Sequence, residues 1–249
     1  MSKEWYFARG RIVDVSGAPL AFPDAHPDSG DYILLMNPNK EDAEIEITFF
    51  FEDRDPVKQY TRLAAERVAQ HPLHVKSKDI LPWNVEYGCR VVSSVPLICQ
   101  RTNGQWLPGD DVTECMGSTI MHPGPLGKRE TRWAYADGII CRKEGHKLEE
   151  SEWVGILNPN QQDAHITITA YHAGDRPPTR WEVVVPAERI RLIKMDDQEW
   201  VIPYELYGLM LESDVPIVVE ELRYAYEKGK YLCPRSMFDT MAYAGFGIE

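Results

Sequence analysis

The sequence predicts an all-β protein built from two tandem antiparallel β-sandwich domains of jelly-roll or lectin-like type. Three observations carry that expectation. First, a twelve-residue stretch occurs twice, as Asn-Pro-Asn-Lys-Glu-Asp-Ala-Glu-Ile-Glu-Ile-Thr at 37–48 and as Asn-Pro-Asn-Gln-Gln-Asp-Ala-His-Ile-Thr-Ile-Thr at 158–169, with 8 of 12 positions identical at an offset of 121. Self-similarity at a fixed spacing marks a duplicated structural unit. Second, each copy reads as a tight turn feeding a half-buried strand. Asn before Pro starts the turn and the next Asn tolerates a left-handed backbone. Then Ile45, Ile47 and Phe49 alternate with Glu44, Glu46 and Thr48, as Ile166 and Ile168 do with His165, Thr167 and Thr169. Third, turn signals return roughly every ten residues, while helical periodicity is scarce.

Taken in order, each copy opens on an aromatic strand closed by glycine: Trp5-Tyr6-Phe7-Ala8-Arg9-Gly10 and Trp133-Ala134-Tyr135-Ala136-Asp137-Gly138. The offset here is 128, so the first copy holds seven extra residues before its turn, within the Pro- and Asp-rich stretch Ser16–Ser29. That composition predicts a surface loop. Trp5 and Trp133 are expected to fill the core or an interface. After the repeated strand come charged turns at Asp53-Arg54-Asp55-Pro56 and Gly174-Asp175-Arg176-Pro177. A strand pair around Ala65-Glu66-Arg67 and Ala187-Glu188-Arg189 follows; Val183, Val184 and Val185 suit a pleated surface. Pro-bearing loops at Leu81-Pro82-Trp83-Asn84 and Ile202-Pro203-Tyr204-Glu205 lead into Ser94-Val95-Pro96-Leu97-Ile98 and Asp214-Val215-Pro216-Ile217-Val218, where proline at a strand start sacrifices no ladder bond. The last strands are expected near Met116–Met121 and Met237–Ala244. Two Pro and two Gly in residues 122–130 read as a linker. The expected units are 1–122 and 131–249, joined by 123–130.

Composition bounds the function. At 249 residues and 43% hydrophobic content, each half can bury a core of its own. No apolar run approaches the ~18 residues of a membrane span, and the N-terminus lacks a signal-peptide pattern. Five Cys make an odd count without CxxC spacing. Reduced thiols in a cytoplasmic protein are the expectation. A net charge of −12 argues against nucleic acid, which selects for a basic footprint.

The order of motifs resembles the sensory rhodopsin transducer family. The matching segments are Leu157-Asn158, Asp163-Ala164-His165-Ile166-Thr167-Ile168, Pro186-Ala187-Glu188-Arg189, Ile202-Pro203 and Ser213-Asp214-Val215-Pro216-Ile217-Val218-Val219. The second copy matches better; the first has the extra loop and reads Pro96-Leu97-Ile98-Cys99 in place of Pro-Ile-Val-Val. The resemblance implies a soluble β-sandwich that assembles as a tetramer of single domains and partners a membrane photoreceptor. It also implies likeness to carbohydrate-binding modules. With two domains fused, a homodimer would supply the same four-domain assembly.

The expected ligand site is the Pro-bearing loop of each copy. Trp83 and Tyr204 read as equivalent, followed by Asn84 and Glu205. An aromatic face beside polar side chains suits a sugar or similar small polar molecule. Arg67 and Arg189 recur, and Arg223, like Arg101, lies just past the Val-Pro strand. Asn37 and Asn158 read as turn formers. His71 and His74 have HxxH spacing, but the second copy offers Ile193 and Asp196 there, so no metal site is expected. Glu220 and Glu221 are adjacent on a strand and must point to opposite faces, which denies them one scissile bond. No phosphate loop, GxSxG or other cofactor motif is present, and no catalytic residue or cofactor is assigned. The function expected first is a non-catalytic module that binds a carbohydrate or similar small polar molecule; a signalling or scaffold protein of the transducer type and a sugar-acting enzyme are the alternatives.

Overall fold

The computed structural model describes residues 1–12, 30–73, 77, 79–82, 84–107, 113–140, 148–227 and 236–245. The predicted Ser16–Ser29 loop, Trp83 and His74 lie outside them. Regular structure is almost entirely strand. The first half contains β1 (Ser2–Arg11), β2 (Gly30–Asn37), β3 (Ala43–Phe50), β4 (Val57–Leu63), β5 (Arg67–Pro72), β6 (Glu86–Leu107), β7 (Thr113–Ile120) and β8 (His122–Pro123). The second contains β9 (Arg132–Gly138), β10 (Leu148–Asn158), β11 (Ala164–His172), β12 (Thr179–Val185), β13 (Arg189–Lys194), β14 (Tyr207–Ser213), β15 (Val218–Glu227), β16 (Ser236–Met241) and β17 (Tyr243–Ala244).

Each half is a two-layer antiparallel sandwich. The front layers run β4-β3-β6-β1-β8 and β12-β11-β14-β9-β17; the back layers run β5-β2-β6-β7 and β13-β10-β15-β16. The registers correspond. Trp5 faces Val91 and Pro123 as Trp133 faces Leu211 and Ala244. One difference concerns the Val-Pro segment. In the second half β14 and β15 are separate strands, as predicted. In the first, β6 is continuous and serves both layers. Pro96 sits between Ser93, which faces Ile45 of the front layer, and Ile98, which faces Met36 of the back layer. A missing N–H costs little at such a crossover.

Alternation directs the inner faces into two cores. Phe7, Ile47, Phe49 and Val91 meet Ile33, Leu35 and Cys99 in the first; Ile166, Ile168, Leu209 and Leu211 meet Val154, Ile156 and Val219 in the second. Trp5 and Trp133 are both buried, and the Trp133 indole N–H donates to the carbonyls of Glu130 and Ile217. Cys89 and Cys99 are buried thiols, pushed up in pKa chiefly by desolvation.

The repeated asparagine is a buried clamp. Asn158 Nδ2 donates to the carbonyls of Gln162, Val185 and Pro186 at 2.8, 3.0 and 3.0 Å, and its Oδ1 accepts from the backbone and side chain of Asn160. Asn37 does the same with Glu41, Leu63, Ala64 and Asn39. One amide thus ties the β10–β11 turn to the β12–β13 turn, which explains its recurrence without a ligand.

The two halves dock through non-equivalent surfaces. The outer face of the first front layer (Ala8, Phe50, Gly88) packs on the outer face of the second back layer (Gly155, Leu157, Ile190). A Cβ on Gly88 would stand 2.7 Å from Ile190 and 3.3 Å from Leu157, so glycine permits the approach. A β-bulge in β1 sets Ala8 and Arg9 opposite Gly88, and both of their N–H groups donate to Glu220 at 3.0 Å. Arg101 reaches the other Glu220 oxygen at 3.5 Å. The Ile190 N–H donates to the Phe51 carbonyl at 3.2 Å, and Arg189 and Arg191 pair with Asp55 and Glu52 at the rim.

Candidate functional site

The Pro-bearing loops lie at one end of each sandwich. Asn84 and Tyr204 both hold a left-handed backbone, φ 61° and 66°, and both N–H groups bind a carbonyl at the end of the opening strand, Ile12 at 2.8 Å and Ile140 at 3.0 Å. Asn84, rather than Trp83, is therefore the counterpart of Tyr204. Tyr204 is half exposed, while Glu205 is drawn into an ion pair with Arg176 at 3.3 Å. A left-handed tyrosine is strained by about 1–3 kcal/mol, which the Ile140 bond helps to hold.

The other expected site residues lie elsewhere. Arg67 and Arg189 flank the Asn37 and Asn158 clamps, at the end opposite Arg223 on β10's partners: Asn158 pairs with Arg189, Glu152 with Arg223. Arg189 is spent on Asp55 of the first half, and Arg67 donates to the Glu66 carbonyl. Arg223 points inward, 3.4 Å from Glu152 and 3.5 Å from Glu221. Glu220 and Glu221 do face opposite ways, one to the docking surface and one to this cluster. Among the described residues, Asn84, Tyr204, Glu205, Arg67, Arg189 and Arg223 do not form a single cradle; Trp83 lies outside them.

Beneath the loops, each half carries a buried carboxylate bound by a tyrosine. Tyr87 donates to Asp31, which Arg101 also grips at 3.0 Å. Tyr207 donates to Glu152 at 2.6 Å and Tyr135 does so at 3.3 Å, with the Ile139 N–H on the second oxygen at 3.2 Å. Gly10 and Gly138 leave no room for a Cβ against the Tyr87 and Tyr207 rings, which is why glycine closes each opening strand. Desolvation raises the pKa of Glu152, and burial raises that of Tyr87, Tyr135 and Tyr207, reinforced by the neighbouring carboxylate. The tyrosines stay protonated donors. Sequence reading missed these pairs. The recurrent Tyr-Gly at 87–88 and 207–208 was the available signal.

A second concave surface lies elsewhere. A cleft of about 390 Å³ opens between the edge strands β12 and β13, lined by Trp153, Trp181, Arg191, Lys194, Asp197 and Gln198. Arg9 and Lys194 stand over the Trp153 ring at 5.5 and 5.8 Å. Trp181 leans on Trp200, itself edge-on to Tyr207. Tyr32 holds the register position of Trp153 in the first half, but Gln59 holds that of Trp181, so the pair of indoles does not recur. Among the described residues, no cluster of three His, Cys, Asp or Glu is arranged for a metal ion, and no helix is long and apolar enough to cross a membrane.

Comparison with known proteins follows the duplication. The family model of the Anabaena sensory rhodopsin transducer matches residues 2–105 and again 127–244. A solved structure from Thermotoga maritima, protein 1070, is 24% identical over 49% of this chain and 95% of that one, with a TM-score of 0.41. The Anabaena sensory rhodopsin transducer itself is 20% identical over 40% of this chain and 92% of that one, with a TM-score of 0.34. No curated protein matches the chain.

Proposed function

We propose that this chain, which belongs to the Anabaena sensory rhodopsin transducer family, is a non-catalytic coupling protein that acts from the cytoplasmic side through a protein partner. The observation that carries this reading is the family match over both halves, each built on the same sandwich. Charge supports it. Cytoplasmic loops of membrane proteins are rich in Lys and Arg, and a chain of net charge −12 is complementary to them. We take the partner to be a rhodopsin-type photoreceptor, and the working species to be two chains presenting four sandwiches, divided near 1–122 and 131–249. Binding to such a receptor in nanodiscs, followed by interferometry at low and high salt, tests the partner. Association that weakens with salt is expected. Absence of association at every salt concentration overturns it.

A second reading is favoured by the β12–β13 cleft. Two tryptophans beside Arg191, Lys194, Asp197 and Gln198 offer apolar faces and hydrogen-bonding groups to a small polar ligand such as a sugar. The loops at Asn84 and Tyr204 are the alternative seat. Calorimetry across mono- and oligosaccharides, repeated on Trp181→Ala and on Tyr204→Ala, discriminates them. Silence across the panel removes the sugar.

A further inference from the structure

We infer that Arg176 is a proton-controlled latch on the loop between β13 and β14: it ties that loop down while His172 is neutral and releases it when the ring takes up a proton. The loop carries half-exposed Tyr204, and the latch operates whether or not a ligand sits there.

Three strand ends meet at this corner. His172 closes β11, Thr179 opens β12 and Tyr207 opens β14. His172 and Tyr207 are register partners, so both side chains point to the same face. Gly174 holds φ 71° in the turn between β11 and β12, a backbone that glycine adopts freely. Beyond it, Arg176 comes back on His172. Its Nη2 donates to His172 Nδ1 at 2.5 Å and to the Trp200 carbonyl at 2.8 Å, and its Nη1 stands 3.3 Å from Glu205. Residues 200 and 205 both belong to the loop, so one guanidinium joins the end of β11 to it twice.

This geometry fixes the charge of the imidazole. Arginine has N–H donors and no acceptor, so Nδ1 must offer a lone pair. The proton then sits on Nε2, which donates to Thr179 Oγ1 at 2.9 Å. A neutral His172 is thus satisfied at both nitrogens. A proton on Nδ1 removes the acceptor and sets an imidazolium against a guanidinium at hydrogen-bond distance. Among the described residues, the charged or titratable groups facing the ring are Arg176 from the turn, Glu205 from the loop and Tyr207 from β14. Tyr207 is engaged as a donor to Glu152. Glu205 favours the imidazolium, but burial and then Arg176 outweigh it and hold the His172 pKa below its ordinary 6.5. Release therefore belongs to the acid side of that value.

Release would reach both concave features of the second half. Trp200, whose carbonyl Arg176 holds, is edge-on to His172 at 5.3 Å and to Tyr207 at 5.2 Å, and Trp181 of the β12–β13 cleft leans on it. The first half has no such pair: Phe51, 1% exposed, stands in the place of His172, and Asp55 in that of Arg176. The Asn84 loop is therefore an internal control.

Amide hydrogen exchange and histidine-ring NMR on the full chain, from about pH 7.5 down to about pH 4.5, test this. After correction for intrinsic rates, the Tyr204 and Glu205 N–H groups should exchange about tenfold faster once His172 is protonated, the worth of one hydrogen bond to a charged group. The Asn84 N–H should show no such step. His172→Asn keeps an acceptor for Arg176 that takes up no proton, so the step should vanish and the loop stay protected. Arg176→Ala should leave the loop in fast exchange at every pH and move the His172 titration up toward 6.5. Loop exchange that ignores the ring titration overturns the latch. So does a His172 ring that titrates at 6.5 or above, or that takes up no proton in the folded chain. A step that survives His172→Asn belongs to another group and overturns it as well.

Discussion

Replacing Asn158 by alanine should destabilise the second sandwich by about 3–4 kcal/mol. The side chain is fully buried and engages three carbonyls and the backbone and side-chain N–H groups of Asn160. Two amide hydrogens shared by three carbonyls amount to roughly two full bonds, and Oδ1 adds two more. At about 1 kcal/mol net for each bond, the sum is near 4 kcal/mol, reduced where water can reach the turn carbonyls. That is a large part of the ~5–15 kcal/mol that holds a domain together. The Val185 bond is wholly buried and has no such relief. Urea unfolding followed by tryptophan fluorescence would read the loss, and Asn37→Ala should cost about as much in the first half, because its bonds are the same. Asn158→Asp keeps the acceptor but presents a carboxylate to three carbonyls, so it should be no milder. A loss under about 1 kcal/mol for both alanine variants would refute the clamp.

Two further outcomes follow from the same geometry. Glu66 and Glu188 hold φ of 53° and 54°, which glycine adopts freely, so Glu66→Gly or Glu188→Gly should cost nothing or stabilise by up to about 1 kcal/mol; a clear loss by thermal melting would show that the side chain matters. Glu152 ionises near 4.5 when unfolded, and burial raises that value in the fold. As pH rises through the interval between the two values, the unfolded chain gives up a proton that the fold retains, so this group lowers stability. The stability difference between Glu152→Gln and the wild type should therefore move in favour of the variant from pH 4 to pH 7; a flat or opposite trend in parallel denaturation curves would contradict the buried placement.

The duplication was legible because the clamp needs a particular residue. An asparagine that must donate and accept at once tolerates no substitute, so Asn37 and Asn158 stand out by identity. Trp5 and Trp133 read as core for a similar reason, and the alternation of β3 and β11 gave their faces. The buried carboxylates were less visible, because Asp31 and Glu152 differ by one methylene and match only by place. The loop correspondence slipped by one residue. Pro82 and Pro203 align at an offset of 121, but the left-handed position shifts to 120, from Asn84 to Tyr204, and only φ and the bond to Ile12 or Ile140 reveal it. The docking of the halves was hidden altogether. It depends on outer faces, where Gly88, Leu157 and Ile190 come together from strands distant in sequence. The cleft at Trp153 and Trp181 was hidden for a related reason, since Tyr32 repeats Trp153 but Gln59 stands in the place of Trp181.

Amide hydrogen exchange at Ala8 and Arg9 tests the docking of the two halves most directly. Both N–H groups are bound to Glu220 inside each chain and should exchange slowly at every protein concentration. Rapid exchange at both in the folded chain would contradict it.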